Sequence, residues 1–249
     1  MDSGPRSPRS DAGQSIVLPF MRWAGVRRLD ALFLTHDDGD HTGGARAVLA
    51  GMGVARLLAP APRAGVPGPL SRFRGTALAI GEEIESAPRM IVRWPPRPDS
   101  ATSFWEHPVT SADNGAALVL EVGAGAGRAL LAADADSAAE AALDVAPGLA
   151  LLKVAHHGSG SSSGARFLAG VRPGLAVISV GRRNRFGHPD PGALRRIQAA
   201  GAAILRTDQS GALWFDLDDS GVRVVDWRAG AWRRSGRAFE VRRRPHAME

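Results

Sequence analysis

The segment THDDGDHTGG, residues 35–44, most constrains what this chain can fold into, because it directly follows the apolar run ALFL. Two histidines and three aspartates lie within a span of six residues there, namely His36, Asp37, Asp38, Asp40 and His41. At a strand end such side chains repel one another or stay unpaired unless a cation lies among them. The segment therefore predicts a tight turn around one or two divalent metal ions, with Gly43 and Gly44 opening a helix beside it.

Other polar side chains also follow apolar runs directly. Asp134 follows ALLAA, His156 and His157 follow LLKVA, and His188 follows AVISV after a short loop. Strand ends in a packed sheet open onto one edge, so residues far apart in sequence can meet there. A capped loop residue is the commoner explanation for any single histidine. The whole set favours a metal site.

Strand and helix patterns alternate along the chain. The runs AALVLEV and RALLAA flank GAGAG and predict a β-hairpin. With 249 residues, 44% of them hydrophobic, the chain can bury one large core. We expect an α/β fold of sheets covered by helices. The other predicted elements are helices in IVLPFMRWAGV, HTGGARAVLAGMGV, SAAEAALDVA, GARFLAGV and PGALRRIQAAG, and strands in LDALFLT, LALLKVA, LAVISV, AAILRT, GALWFDL and GVRVVDW.

Composition excludes several classes of protein. The chain has no cysteine, which excludes disulfides, thiolate zinc sites and a cysteine nucleophile. No apolar run reaches the roughly 18 residues that a membrane span needs, which predicts a soluble chain. The N-terminal MDSGPRSPRSDAGQ lacks the apolar core of a signal peptide.

The net charge of +6 is carried almost wholly by arginine, because Lys153 is the only lysine. This excess favours contact with polyanions such as nucleic acid. It is explained equally well by the base composition of a gene rich in Ala, Gly and Arg codons. The basic segment at 228–249 predicts a disordered tail that follows a folded domain at 1–227.

The segment THDDGDHTGG resembles the metal-binding signature of the metallo-β-lactamase superfamily, in the variant His-x-Asp-x-Asp-His. Further motifs follow in order: DNGAALVLEV, ALLAADAD, LLKVAHHGSGSSS, VISVGRRNRFGHPDP and RTDQSGALWF. Together, from residue 2 to about residue 216, they are similar to the C-terminal hydrolase domain of ComEC-type competence proteins, the channels that bring transforming DNA across a membrane.

The resemblance implies a four-layered αββα fold with a centre of two divalent metal ions, zinc or manganese. It implies that Asp134 bridges the two metals. Neighbouring residues at a strand end point in opposite directions, so we expect only one histidine of the pair to bind, His157 before His156. The remaining implied ligands are His36, Asp38, Asp40 and His41.

The resemblance also implies residues for catalysis and substrate binding. Asp40 either binds metal or takes the proton of the attacking water. His188 is either a ligand or an acid that faces the substrate. The implied substrate-binding residues are Asn114, Ser159, Asn184, Arg185 and His188.

The sequence departs from the family pattern at three places. Ala133 stands where the family has glycine before the bridging aspartate, and Ala117 stands where it has serine; both changes are small. The DSGP at residues 2–5 resembles the end of the second strand of the family. It predicts that the first one or two strands of the fold are lacking, and that a chain starting at Met1 is poorly soluble or takes the missing strands from another chain.

The predicted function is a metal-dependent phosphodiesterase or nuclease that acts on single-stranded DNA in competence-type uptake. In the family context its partners are membrane channel segments, and its location is the outer side of the cytoplasmic membrane. Two alternatives remain open. One is a small-molecule ester or phosphodiester hydrolase of the same fold, and the other is a non-catalytic module that docks DNA.

Overall fold

The computed structural model of the chain describes residues 1–60, 73–84, 88–96 and 114–225, together with a short strand at 239–240. The chain divides into two compact units. The first comprises Met1–Glu82 and Val92–Val119, and the second comprises Glu83–Ile91 and Leu120–Glu249. Within the described ranges, no helix is long and apolar enough to cross a bilayer.

The first unit consists of short strands joined by helices. In chain order its elements are β1 (Arg6–Ser7), β2 (Ser10–Asp11), a π-helical turn (Gly13–Val17), α1 (Leu18–Trp23), β3 (Arg28–Leu29), β4 (Leu32–Phe33), α2 (Gly39–Thr42), α3 (Ala45–Gly51), β5 (Gly53–Val54), β6 (Leu57–Pro60) and β7 (Thr76–Leu78). Strands β4, β6 and β7 pair in parallel, as do β3 and β5. Parallel pairing with intervening helices is the βαβ pattern, which leaves strand ends free to carry functional residues.

The core of this unit lies between α3 and the parallel strands. Leu34, Ala45 and Val48 are almost fully buried there. The two glycines between α2 and α3 allow a second segment to pack directly on the helix junction. A Cβ on Gly44 would lie 2.4 Å from both Ser3 O and Gly13 N. Only glycine therefore permits the N-terminal residues to pass this close.

Seven further strands form a mixed sheet, in the order β14-β13-β12-β11-β10-β9-β8, and most of its residues belong to the second unit. Its strands are β8 (Glu83–Ile84), β9 (Met90–Trp94), β10 (Val119–Val122), β11 (Ala129–Leu131), β12 (Leu151–Lys153), β13 (Leu175–Ile178) and β14 (Ala203–Arg206). Strands β11 to β14 run parallel. The predicted hairpin is confirmed, since β10 and β11 are antiparallel. The mixed sheet with crossover helices confirms the predicted α/β class.

Helices and a small second sheet complete this unit. They are α4 (Ser137–Ala142), α5 (Ala165–Val171), α6 (Pro191–Ala199), α7 (Thr207–Ser210), β15 (Trp214–Asp218), β16 (Gly221–Val225) and β17 (Phe239–Glu240). The small sheet is antiparallel. Its Val222 packs against Leu151 and Leu175 of the large sheet. The tail predicted at 228–249 lies outside the described residues except for β17, and its disorder stays a prediction.

Two predicted elements are divided in the structure. LDALFLT forms two strands because its halves pair with different partners, β3 with β5 and β4 with β6. The helix predicted in HTGGARAVLAGMGV begins at Gly39 and is interrupted at Gly43 and Gly44, where the N-terminal segment packs on it. It ends at Gly51, one of the two positions predicted.

A buried carboxyl group holds the loop between β12 and α5. The oxygens of Glu140 accept hydrogen bonds from the backbone N–H groups of Ser163 and Gly164, at 2.7 and 2.9 Å. Arg196 donates to carbonyls of the same loop, those of Gly160, Ser162 and Ser163. Burial raises the pKa of Glu140 from 4.5 to about 7, although both N–H groups act to lower it.

The raised pKa of Glu140 predicts a pH-dependent stability. The folded protein holds this proton more tightly than the unfolded chain, so the stabilisation is complete below pH 4.5 and is lost as the pH rises to about 7. The full effect is of the order of 3 kcal/mol. Relative to wild type, Glu140→Gln should therefore gain stability between pH 5 and pH 8. Urea unfolding of the metal-free protein measures it, with exposed Glu83→Gln as the control; parallel pH profiles for wild type and Glu140→Gln would contradict the prediction.

Candidate metal centre

The first cluster of predicted ligands lies where β4 ends and α2 begins, in the first unit. Thr35 and His36 are buried directly behind the strand. Asp38 occupies the N-cap position of α2, yet its side chain makes no capping hydrogen bond. Instead its backbone carbonyl accepts from the N–H groups of His41 and Thr42, both at 3.0 Å. The turn is thus held by backbone, and the Asp38 carboxylate is left to face the histidines.

Hydrogen bonds assign the tautomer of both histidines in this cluster. The Thr35 hydroxyl donates its only proton to Asp2 Oδ2 at 3.0 Å. His36 Nδ1, 2.8 Å from that hydroxyl, must therefore be the donor of their hydrogen bond. His41 Nδ1 donates to Asp2 Oδ2 at 2.8 Å, because a carboxylate only accepts. Both rings consequently carry the lone pair on Nε2, the form that binds a metal.

The Nε2 atoms lie among acidic side chains. The two imidazole rings are 4.1 Å apart between centroids. His36 Nε2 is buried without a hydrogen bond within the described residues, and Asp38 Oδ2 lies 3.4 Å from it. His41 Nε2 lies 3.9 Å from Asp40 Oδ2. A buried imidazole nitrogen that presents its lone pair beside carboxylates fits a divalent cation, which supplies the missing positive charge.

Asp2 is ionised although it is buried. Burial alone would raise the pKa of Asp2, but the hydrogen bonds that it accepts from His41 Nδ1 and from the backbone N–H of Thr35 hold that pKa below its usual value. The Asp2 carboxylate is therefore anionic at neutral pH, the state that it needs to accept from His41 and Thr35.

The second cluster lies at the ends of β11 and β12, in the second unit. Asp134 is buried, and its Oδ2 lies 3.6 Å from His157 Nε2 and 3.9 Å from His156 Nε2. Its Oδ1 lies 3.9 Å from Lys153 Nζ, which also donates to the carbonyl of Ala133 at 2.9 Å. A carboxylate surrounded by imidazole nitrogens is suited to binding a cation.

Left-handed backbone shapes this cluster. Ala133 has φ of +46°, a conformation that favours glycine, so the family glycine expected there has a structural reason. His156 and His157 have φ of +48° and +54°. Our expectation that only one of the pair points toward the site assumed extended backbone. In this turn both rings reach the same carboxylate.

A hydrogen bond fixes the tautomer of His157. His157 Nδ1 lies 2.7 Å from the carbonyl oxygen of Ser179 and donates to it. This bond places the lone pair of His157 on Nε2, toward Asp134. The ring of His156 lies 5.8 Å from that of His188. The preference for His157 as the ligand stays a prediction, and its fixed tautomer supports it.

His188 lies at the base of a loop braced by Asn184. The Asn184 side chain donates to the carbonyl of His188 at 2.7 Å and accepts from its N–H at 2.9 Å. Burial lowers the pKa of His188, and the neighbouring His156 and His157 lower it further. A neutral ring suits the role of ligand or hydrogen-bonding group better than that of acid.

The structure places the other predicted substrate residues in different settings. Asn114 is buried in a 3₁₀ turn, Asn114–Ala116, of the first unit. Two residues after that turn, the backbone N–H of Leu118 donates to the carbonyl of Thr35, beside the first cluster. Ser159 is buried, and its hydroxyl contacts that of Ser161 at 3.0 Å. Arg185 is exposed on the same loop as His188. Their roles in substrate binding stay predictions.

Sequence reasoning missed the residues that orient the ligands. Asp2 was considered only as part of a strand end, and Thr35 and Lys153 were given no role. An aspartate 39 positions before His41 shows no periodicity that connects them. The available signal was the acidic residue of DSGP itself, since metal-binding histidines usually donate their second nitrogen to a carboxylate or carbonyl.

Comparison with known proteins agrees with the predicted fold and with a metal-dependent hydrolase. The profile described as Metallo-beta-lactamase superfamily matches residues 2–182. The chain is similar to ComE operon protein 3 of Bacillus subtilis (strain 168), with 32% identity over 82% of this chain and 26% of that protein. It is also similar to competence protein ComA of Neisseria gonorrhoeae, with 35% identity over 86% of this chain and 29% of that protein.

A third relative is Recombination protein 2 of Haemophilus influenzae (strain ATCC 51907 / DSM 11121 / KW20 / Rd), with 29% identity over 78% of this chain and 23% of that protein. The chain thus spans about a quarter of the length of these curated relatives.

The role of Asp2 is testable by metal affinity. Asp2→Asn removes the charge that fixes His41 and the acceptor of the Thr35 hydroxyl, so Mn²⁺ or Zn²⁺ should bind 10- to 100-fold more weakly, by order of magnitude. Isothermal titration measures this, with the exposed Asp30→Asn as the matched control. Equal affinities for the Asp2 and Asp30 variants would show that Asp2 does not organise the site.

Proposed function

Because the chain belongs to the metallo-β-lactamase superfamily, we propose that it is a metal-dependent phosphodiesterase that cuts DNA. Membership makes the chain a hydrolase of the metal-dependent type. The substrate, the number of metal ions and the roles of individual residues are our proposals.

One observation carries the proposal. Both histidines of the first cluster are held at Nδ1, His36 by Thr35 and His41 by Asp2, and so present Nε2 lone pairs beside Asp38 and Asp40. A buried His36 Nε2 lone pair beside the Asp38 carboxylate is unfavourable unless a cation lies between them. The arrangement supports metal binding over the alternative of a non-catalytic docking module.

We propose the following metal ligands: His36, Asp38, Asp40, His41, Asp134 and His157, with His156 as the second choice of the pair. The site combines imidazole nitrogens with several carboxylate oxygens, so it suits manganese as well as zinc. When bound, two divalent ions polarise a phosphoryl oxygen and lower the pKa of water. The protein contributes fixed ligand orientation through Asp2, Thr35 and the carbonyl of Ser179.

The chain also supplies groups for substrate and proton handling. Asp40 is half-exposed, which allows it to accept a proton from the attacking water if it does not bind metal. Lys153, next to Asp134, balances part of the negative charge near a bound phosphate. His188, with its lowered pKa, is a ligand or a hydrogen-bonding group to the substrate.

DNA is the proposed substrate for two reasons. The relatives carry names that refer to competence and recombination. The loop before His188 presents three exposed arginines, Arg182, Arg183 and Arg185, which suit a phosphate backbone. We further propose single-stranded DNA, and partnership with membrane channel segments on the outer side of the cytoplasmic membrane.

Metal content and cleavage test the proposal together. The full chain should bind about two Mn²⁺ or Zn²⁺ ions, counted by elemental analysis after removal of free metal. Asp38→Asn and Asp134→Asn should each lower the metal content and reduce cleavage of a labelled oligonucleotide at least about 100-fold. Asp37→Asn is the matched control, because Asp37 lies in the same turn but is not a proposed ligand.

The outcomes separate the candidate functions. A wild-type chain that binds no metal overturns the proposal. Metal binding without cleavage of DNA, but with hydrolysis of a small phosphodiester, favours the small-molecule hydrolase. DNA binding without any hydrolysis favours the docking module.

The arginine loop predicts a salt-dependent affinity. Exchange of Arg182, Arg183 and Arg185 for Gln should reduce the slope of log K against log salt by about one for each arginine that contacts a phosphate. Fluorescence anisotropy at several salt concentrations measures it. Arg166→Gln and Arg195→Gln, exposed on α5 and α6, are controls; the assignment fails if they change the slope as much.

A further inference from the structure

We propose that Phe186, together with Arg185, is a stacking platform for an unpaired nucleobase beside His188. The inference rests on the proposed function, because it names the form of DNA that the site accepts and a residue that recognises it. Nothing in the family motifs assigns Phe186 a role.

Phe186 is exposed in a way that its own fold does not explain. At 68% exposure, it is the most exposed large apolar side chain among the residues that the structure describes. Water-exposed phenylalanine gives up the burial that usually stabilises it. Its neighbours in sequence, Arg185 and Gly187, are exposed as well, so the loop that carries the ring does not bury it.

Contacts with neighbouring side chains nevertheless fix the orientation of the Phe186 ring. It stacks near-parallel to His188, with centroids 6.1 Å apart and planes 18° apart. The guanidinium carbon of Arg185 lies 5.2 Å from the centroid of Phe186. The loop beneath is closed by the Asn184 side chain, which donates to the carbonyls of Gly181 and His188. The ring is therefore held on a braced loop, so that binding a base costs little additional conformational entropy of the protein.

This arrangement fits a nucleobase face. Aromatic rings and arginine planes are the groups on which proteins stack unpaired bases, and cationic neighbours hold the phosphates. In a duplex the base faces are covered by neighbouring bases, so a ring presented face-on has access only to single strands, ends or loops. The ring, the three arginines and His188 lie within seven consecutive residues, 182–188.

The test compares single-stranded with duplex binding by the metal-loaded full chain. The ligands are a fluorescein-labelled phosphorothioate oligothymidylate of about 12 nucleotides and a covalently closed circular duplex, which has no end at which a base face is exposed. Phe186→Ala and Phe186→Leu should weaken single-strand binding about 10-fold, within the range for loss of one stacked base. Phe186→Trp should restore it, because the larger ring still stacks. Duplex affinity should change less than about twofold in every variant.

Two controls accompany the variants. Trp23→Ala removes another exposed aromatic ring, at a distance in sequence from the loop, and should leave both affinities unchanged. Thermal unfolding should be the same for wild type and all Phe186 variants, since the ring is exposed.

Three results would each overturn the stacking proposal. Phe186→Leu that binds single strands as wild type does overturns the stacking proposal, while DNA cleavage by wild type keeps the proposed function. Equal weakening on duplex and single strand also overturns it, because it indicates phosphate contact alone. Wild-type protein that binds and cuts neither form overturns the proposed function and the stacking platform together.

Discussion

The first cluster, which contains His36 and His41, depends on the hydrogen bonds that the Asp2 carboxylate accepts. One oxygen accepts from the backbone of Thr35, and the other accepts from both the Thr35 hydroxyl and His41 Nδ1. Through Thr35 the same group sets the tautomer of His36. Residues 2–6 reach this position because Gly43 and Gly44 leave no Cβ in their path. The absence of a Cβ at these two glycines therefore allows Asp2 to come close enough to orient both imidazole rings.

In the second cluster, backbone conformation orients the imidazole rings. Ala133, His156 and His157 adopt left-handed backbone, which costs roughly 1 kcal/mol for each non-glycine residue. Such conformations persist at functional sites when surrounding structure holds them. Here the Ser179 carbonyl, the Lys153 ammonium and the Glu140-anchored loop supply that support. The strained turn places two imidazoles next to a buried carboxylate that would otherwise be destabilising.

Much of this organisation was predictable from sequence, because strand ends carry function and the polar clusters stand directly behind apolar runs. The α/β class, the β10–β11 hairpin and the α3 end at Gly51 follow from local patterns. The contribution of Asp2 does not, because a contact across 39 residues leaves no periodic trace. The orientation of the His156 and His157 rings was not predictable for a different reason. Strand alternation was applied to residues whose backbone is left-handed, and no side-chain pattern reveals that conformation where glycine is absent.

The central claim is that Nδ1 tethering presents His36 and His41 to metal through Nε2. Anomalous diffraction at the metal absorption edge, from crystals of the Mn²⁺- or Zn²⁺-loaded chain, tests it most directly. The account predicts anomalous density about 2.0–2.3 Å from Nε2 of both rings, with His41 Nδ1 still bonded to Asp2. Metal bound through Nδ1, or density absent from both rings in the metal-loaded crystal, would contradict it.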